Sequence, residues 1–172
     1  MTEHLAGLFG SAVGLLSSSQ SRSFELFTEL TNLDESACDA WVGRIRCGDT
    51  DRVTLFRAWY SRSNFGQLAG SAEISMSSLN ARIPIGGMFG DITYPINSPL
   101  AITMGFAVHE ASVGNFADAM EALEDVPSTG AEHLVSWVRA VIYGAAERWT
   151  DVIDEVRNAG GWPDKFLSLI HI

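Results

Sequence analysis

Basic residues are scarce in this sequence and unevenly placed. Eleven Lys and Arg stand against 21 Asp and Glu, the net charge is −10, and Lys165 is the only lysine. No Lys or Arg occurs between Ile83 and Val138, a stretch that carries seven carboxylates. A nucleic-acid-binding protein needs a continuous basic surface to release counterions from phosphates. The charge distribution therefore predicts no nucleic-acid partner.

Cysteines and long apolar runs are also few. Cys38 and Cys47 are the only cysteines, and nine residues of one predicted helix separate them, too far for a disulfide. There is no Cys-x-x-Cys pair that would indicate zinc. The apolar stretches are too short to span a bilayer, and the first residues lack the basic segment of a signal peptide. We therefore expect reduced thiols, a cytoplasmic location and no membrane insertion.

Signatures of catalysis and of cofactor binding are absent from the sequence. His109 precedes Glu110, but no second His follows at i+4, so the metalloprotease spacing fails. The carboxylates at residues 121–125 lack the central Gly of a calcium loop and are read as a solvated helix face. No Gly-x-Ser-x-Gly motif occurs. The chain itself is therefore predicted to be no enzyme and to hold no metal or cofactor.

Apolar residues at helical spacing dominate both ends of the chain. In the first part they predict helices over about 5–16 and 24–32, a third helix with Asp34 or Ser36 as its N-cap, and a fourth capped by Asp51. In the last part they predict helices over about 100–113, 116–123, 133–145 and 149–158. These pairs of helices indicate a mainly α protein.

Residues 71–97 have a β-like pattern and predict an inserted β-hairpin. A two-residue turn at Gly86-Gly87 would place Arg82 opposite Asp91 and Ala81 opposite Ile92. A longer connection over residues 86–90 would shift this register, and the sequence leaves both open. Both strands contain a proline, so both must be edges.

The last four predicted helices contain a repeat with a spacing of 33 residues. Small residues and aromatics recur at matching positions. Residues Ala107, Gly114, Phe116 and Ala119 align in order with Ala140, Glu147, Trp149 and Val152. This spacing is typical of stacked tetratricopeptide-like helical hairpins, in which small residues let paired helices approach. A generic helical bundle remains the alternative reading of the pattern.

Several segments, in order along nearly the whole chain, resemble the EccA family, the cytosolic AAA+ ATPase of type VII (ESX) secretion. The residues that carry the resemblance are 26–30, 34–41 (DESACDAW), 43–51 (GRIRCGDTD), 55–60 (LFRAWY), 65–68, 90–95 (GDITYP), 145–154 (AAERWTDVID) and 162–166 (WPDKF). The resemblance implies that residues 1–166 form an N-terminal tetratricopeptide-like domain with a hairpin insertion over about 71–97. Residues 167–172 depart from the family and are read as an atypical tail.

In the resembling family this domain is followed by an AAA+ module that forms hexamers and uses ATP and Mg²⁺. That module needs a phosphate loop, G-x-x-x-x-G-K-[ST], and the only lysine, Lys165, does not stand in such a frame. We therefore expect a fragment or truncated product without the ATPase. The resemblance implies a substrate- or partner-binding and regulatory domain, whose partners are ESX substrates, other secretion-system proteins and its own AAA+ module. The alternative is a structural domain that packs on the ATPase ring and restrains it.

Helical repeat proteins capture peptides or helices in the groove lined by the first helix of each pair. Mapping the repeat onto that geometry predicts a partner-binding groove that contains Arg46, Met104, Val108, Trp137 and Val141.

The arginines between residues 44 and 62 could bind a carboxylate of a peptide ligand. The simpler reading is that they pair with Asp39, Asp49 and Asp51.

Overall fold

The computed structural model describes residues 2–85, 92–124, 126 and 132–160. Within these ranges the chain is mainly helical, as predicted, and contains one pair of short strands. The elements are α1 (Thr2–Leu15), α2 (Gln20–Leu33), α3 (Cys38–Arg46), α4 (Arg52–Tyr60), α5 (Gln67–Ser71), β1 (Arg82–Ile85), β2 (Ile92–Pro95), α6 (Pro99–Ser112), α7 (Phe116–Glu124), α8 (Glu132–Ala145) and α9 (Trp149–Asn158). None of the described helices is both long enough and apolar enough to cross a membrane.

The chain divides into two compact units. The first contains residues 1–83 and 94–102, and the second contains residues 84–93 and 103–172. In the first unit α1 packs on α2, α2 on α3, α3 on α4, and α1 also packs on α5. In the second unit α7 packs on α8, and α8 packs on α9.

The core of the first unit depends on close approach between α2 and its neighbours. Phe27 of α2 is fully buried and meets the ring of Phe9 edge-on, with 5.8 Å between ring centroids. On its other side Phe27 lies against Gly43 of α3, where an added Cβ would overlap the ring. Gly43 therefore sets the distance between α2 and α3, because any larger residue would force the two helices apart.

The beginning of α4 follows the sequence prediction, but the beginning of α3 does not. Asp51 caps α4, because its side chain accepts a hydrogen bond from the Thr54 amide at 2.8 Å. The prediction that Asp34 or Ser36 caps α3 is wrong, since α3 begins at Cys38 without a side-chain cap. Asp34 accepts hydrogen bonds from the amide and hydroxyl of Ser36 instead. An Asp side chain readily accepts a hydrogen bond from the free amide two residues later. At Asp34 this local turn forms in place of a cap on α3.

A buried carboxylate fastens α5 to α3. Asp39 is fully buried and accepts hydrogen bonds from the amides of Gly66, at 2.6 Å, and Ala69, at 2.9 Å. Loss of hydration raises the pKa of Asp39, while the amide hydrogen bonds act in the opposite direction. The carboxylate satisfies amides at the start of a five-residue helix, and this short helix would otherwise be marginal.

The register of the strand pair differs from the tight-turn prediction. The amide of Ile96 donates to the carbonyl of Ala81 at 2.9 Å, so Ala81 lies opposite Ile96 and not opposite Ile92. The register is thus shifted by four residues, which agrees with the alternative of a longer connection. The predicted turn and Asp91 belong to residues 86–91, which lie outside the described residues. The extended segment starts at Arg82, because the chain just before it is helical.

The helices of the last part begin and end within one residue of the predicted limits. Their turns repeat at the predicted spacing of 33. The amide of Asn115 donates to the Glu110 carbonyl, and the amide of Arg148 donates to the Tyr143 carbonyl, both at 2.8 Å. Each bond joins an amide to the carbonyl five residues earlier, so α6 and α8 end in the same kind of turn. The backbone therefore confirms the repeat.

Candidate partner-binding surfaces

Two residues of the predicted groove are interior. Met104 and Val108 lie one turn apart on α6 and are 0% and 6% exposed. The sequence interpretation needs both side chains on an open surface, and the structure buries them instead. The reason is that α6 is apolar on nearly all sides, since every residue from Ala101 to Val108 is buried, so repeat spacing alone did not identify an open face.

The other three predicted groove residues are partly exposed. Trp137 and Val141 lie one turn apart on α8, in the second unit, and so share a helical face. Arg46 ends α3 in the first unit, and its buried Nε has no hydrogen-bond partner among the residues that the structure describes. Partner binding by Trp137, Val141 and Arg46 stays a prediction.

Arg44 is held by other residues of the first unit. Its guanidinium lies over the rings of Phe24 and Trp41, at 5.6 and 4.9 Å from the ring centroids. Its Nε and Nη2 donate to Asp49 Oδ2 at 2.8 and 2.5 Å, and Thr54 Oγ1 donates to the same oxygen at 2.9 Å. The predicted pairing of Arg44 with Asp49 is confirmed. Cation–π and charge-assisted contacts on every side make this arginine structural.

Two further arginines of this segment make contacts that the sequence did not predict. Arg57 pairs with Glu35 at 2.9 Å on an exposed surface. Arg62 donates to the Trp59 carbonyl at 2.9 Å, and its guanidinium lies 4.8 Å from the centroid of the Trp59 ring. The predicted carboxylates Asp39 and Asp51 accept backbone amides instead. Arg44, Arg57 and Arg62 therefore each have a partner within the first unit.

The two cysteines are free thiols in different surroundings. Burial and, to a smaller extent, the neighbouring charge of Asp39 raise the pKa of the Cys38 thiol to about 12. Cys47 is half-buried, and partial burial also raises its pKa. A high thiol pKa leaves little thiolate at neutral pH, so neither cysteine is activated as a nucleophile. Among the described residues, no group of three or more His, Cys, Asp or Glu could hold a metal ion.

A surface that the sequence interpretation missed lies on the outer side of α4. Val53, Phe56 and Tyr60 are 65%, 40% and 68% exposed, while Leu55 and Ala58 on the opposite side are buried. We call Val53, Phe56 and Tyr60 the α4 stripe. The sequence pattern showed apolar residues around most of this helix, and only packing distinguishes the core face from the outer one. The sequence did contain one signal of this surface, because Tyr60 follows Val53 by seven residues and so lies on the same face of the helix.

The α4 stripe forms one side of a shallow depression with two arginines. The depression is lined by Arg52, Val53, Phe56, Arg57 and Tyr60. The rings of Phe56 and Tyr60 stack on each other with 5.8 Å between centroids. An apolar centre with guanidinium groups beside it suits a partner that carries both apolar and acidic side chains.

A second exposed apolar surface lies on α9, in the second unit. Trp149 and Ile153 are one turn apart and are 58% and 52% exposed. Val152, between them in sequence, is buried against the rest of the unit. The helix therefore has an inner face that packs on α8 and an outer apolar face.

Comparison with known proteins agrees with this architecture. Residues 1–170 match the family model of the N-terminal domain of the ESX-1 secretion system protein EccA1. The ESX-1 secretion system protein EccA1 of Mycolicibacterium smegmatis is 78% identical over 169 residues, which are 98% of this chain and 29% of that protein. The protein of the same name from Mycobacterium tuberculosis is 74% identical over 168 residues, again 29% of its length.

A solved structure is similar in fold as well as in sequence. The crystal structure of the N-terminal domain of the EccA1 ATPase from the ESX-1 secretion system of Mycobacterium tuberculosis superposes with a TM-score of 0.87 at 74% identity. The match covers 98% of this chain and 61% of that one. The chain thus spans less than a third of the curated relatives it matches. The helical fold, the family model and the identity over nearly every residue agree, and the chain belongs to the family of EccA1 N-terminal domains of ESX-1 type VII secretion.

Proposed function

We propose that this chain is the substrate- or partner-binding and regulatory domain of a cytosolic AAA+ ATPase of type VII secretion. ATP and Mg²⁺ would bind the AAA+ module of the longer protein, which assembles as a hexamer, and not this domain. The observation that carries the proposal is the apolar surface that remains on helices whose opposite faces are packed. Val53, Phe56 and Tyr60 on α4, and Trp149 and Ile153 on α9, are all exposed. Clusters of large exposed apolar side chains mark interaction sites.

Within this function, we expect the face of α8 that contains Trp137 and Val141 to contact secretion substrates. Both side chains are partly exposed, so a partner can bury them further. Aromatic residues that become fully buried on binding supply a large share of interface free energy. Arg46 remains the proposed contact for a substrate carboxylate, whereas Met104 and Val108 would act as the interior support of the domain.

A second function, restraint of the ATPase ring by packing alone, is favoured by the outer face of α9. Trp149 and Ile153 belong to the last described helix, and the curated relatives continue far beyond this point in sequence. A repeat array exposes the apolar face of its last unit unless a further element covers it. In this reading α9 would contact the rest of the longer protein, and no substrate would bind this domain.

Two Trp→Ala variants separate the functions, because Trp137 and Trp149 are matched in chemistry and differ in place. In the full-length protein, Trp137→Ala should weaken binding of a helical secretion substrate about 30-fold or more, the effect of losing about 2 kcal/mol, and leave basal ATP turnover unchanged. Trp149→Ala should leave substrate binding unchanged. Fluorescence anisotropy measures binding, phosphate release measures turnover, and circular dichroism checks the helical content of each variant.

The opposite result supports restraint by packing. If basal turnover rises in Trp149→Ala and no substrate binds the native protein, the domain acts on the ring alone. A third variant replaces residues 86–91 by Asn-Gly, the residues of a tight two-residue turn. If this variant loses the substrate while Trp137→Ala retains it, recognition belongs to the β1–β2 insertion and not to α8.

A further inference from the structure

The α4 stripe has the spacing of a helix–helix seam. Val53, Phe56 and Tyr60 follow one another at intervals of three and four residues, the a, d, a positions of a heptad. The two arginines of the depression then occupy the flanking positions, Arg52 at g and Arg57 at e. Residues at e and g form the salt bridges that choose the partner of a helical pair. The outer face of α4 therefore has both parts of a helix-pairing surface.

The α4 stripe lies away from the buried face of α4. The inner face of α4 is occupied by Thr54, Leu55 and Ala58, which are all buried, and α4 packs on α3 through that side. The Asp51 cap fixes the start of the helix, so α4 cannot rotate to bury the stripe without losing that hydrogen bond. Val53 and Tyr60 keep about two thirds of their surface exposed, so a partner can still bury them.

The charges around the stripe indicate the chemistry of the partner. Arg52 and Arg57 are basic residues in a chain of net charge −10, and both line the apolar depression. Arg57 is bound to Glu35 through an exposed pair, and such pairs contribute little, so a partner carboxylate can replace Glu35 at small cost. A second copy of this chain would place arginine against arginine at the e and g positions. An acidic helix places carboxylates there.

We propose that the outer face of α4 docks an amphipathic acidic helix, with apolar residues at its a and d positions and Asp or Glu at its e and g positions. The inference rests on the proposed partner-binding function and names the surface and the chemistry of one partner. The nine residues of α4 give a seam of about 13 Å, so the contact covers between two and three helical turns.

The test uses designed peptides of about three heptads with Leu at a and d. One peptide has Glu at e and g, a second has Lys at the same positions, and a third is a scramble of the first. Like charges at e and g discourage each peptide from pairing with itself. The Glu peptide should bind the 172-residue chain, and the Lys and scrambled peptides should bind about tenfold more weakly or not at all. Anisotropy of a labelled peptide measures the affinities.

A matched pair of variants locates the site. Tyr60→Ser removes the most exposed member of the α4 stripe, and Leu33→Ser removes a comparably exposed apolar residue of α2, 56% exposed, from another surface. Tyr60→Ser should weaken the Glu peptide about tenfold, and Leu33→Ser should not change its affinity. Arg52→Glu combined with Arg57→Glu should reverse the preference, so that the Lys peptide binds better than the Glu peptide. Both arginines are on the surface, and circular dichroism confirms that each variant is folded.

Three results would overturn the proposal. The first is equal affinity for the Glu and Lys peptides, or no binding of the Glu peptide. The second is loss of binding in Leu33→Ser but not in Tyr60→Ser. The third is concentration-dependent dimerisation of the native chain that Tyr60→Ser abolishes, which would make a second copy the occupant. The Trp137→Ala experiment tests substrate binding at α8 independently of the peptides. A failure of the α4 site therefore does not change the conclusion about α8, and a failure at α8 does not change the peptide result.

Discussion

The two helical hairpins of the 33-residue repeat share a backbone and differ in how they use it. In α6–α7, Ala107 and Ala119 are fully buried, Gly114 makes the turn with a φ of +90°, and Phe116, which opens the second helix, is half-buried. In α8–α9 the turn residue is Glu147, with a φ of +58°, and the aromatic that opens the second helix, Trp149, is 58% exposed. Ala140 and Val152 of the second hairpin are also buried, so the two hairpins differ in exposure at the aromatic position and not at the small positions.

This difference shows which parts of a helical repeat are fixed by physics. The small residues Ala107 and Ala140 are both buried, because helices in a pair can approach only where side chains are short. The left-handed turn is also retained, although glutamate adopts it at a cost that glycine does not have. Exposure is not fixed, because it depends on what packs outside the pair. A repeat can therefore change function without losing its backbone.

The largest expected effect contrasts the interior of the first hairpin with the outer face of the second. Met104→Ala should lower the free energy of unfolding by about 2–5 kcal/mol, because it leaves a cavity in a fully buried place. Ile153→Ala, at a side chain that is 52% exposed, should cost less than about 1 kcal/mol. Urea unfolding of both variants measures the difference. Similar costs would mean that Met104 lies on an accessible surface, and would return it to the predicted groove.

A smaller effect tests whether the two hairpins are equally tight. Ala107→Leu and Ala140→Leu should each overpack the contact between helices and cost about 1–3 kcal/mol. Both alanines are buried, and both lie at the same repeat position. Thermal unfolding followed by circular dichroism compares the two, with Val53→Leu on the exposed side of α4 as the control for added volume. A cost at Ala107 without one at Ala140 would show that only the first hairpin is closely packed.

The smallest effect concerns the turn. Glu147→Gly should raise stability by about 0.5–1 kcal/mol, because glycine adopts positive φ without strain. Gly114→Ala should lower stability by about 1 kcal/mol. An added Cβ at Gly114 meets no atom within 4 Å, so this cost comes from the positive φ and not from a clash. The urea concentration at the midpoint of unfolding measures both changes, provided that the variants have the same m-value. A destabilised Glu147→Gly variant would show that the glutamate side chain makes a contact worth more than the strain.

Local periodicity predicted most of the fold, and long-range pairing was harder to predict. The helices after residue 99 begin and end close to the predicted limits, because apolar spacing and turn residues act within a few positions. The sequence left the strand register open between a tight turn and a longer connection, because Gly86-Gly87 is a strong local turn signal, while the pairing of Ala81 with Ile96 depends on contacts fifteen residues apart. The α3 cap was misread for a related reason, since Asp34 had a nearer amide to satisfy.

The candidate surfaces were harder to predict than the helices. A repeat position tells which helix a residue occupies, but burial depends on neighbours from distant parts of the chain. Met104 and Val108 were assigned to a groove by position and are interior. The α4 stripe was missed because apolar residues occur around most of α4, and only packing shows that Val53 and Phe56 are exposed while Leu55 is buried. Sequence patterns distinguish such faces only when one of them is polar.

The packing of α1 on α5 has a consequence for synthesis of the protein. About fifty residues separate the two helices, so at about 5–20 residues per second α5 follows α1 from the ribosome by roughly 3–10 s. During that interval α2 is the partner that can cover the apolar side of α1, where Phe9 meets Phe27. The α1–α2 hairpin must therefore shield its own apolar surface from chaperones and from neighbouring nascent chains until α5 arrives.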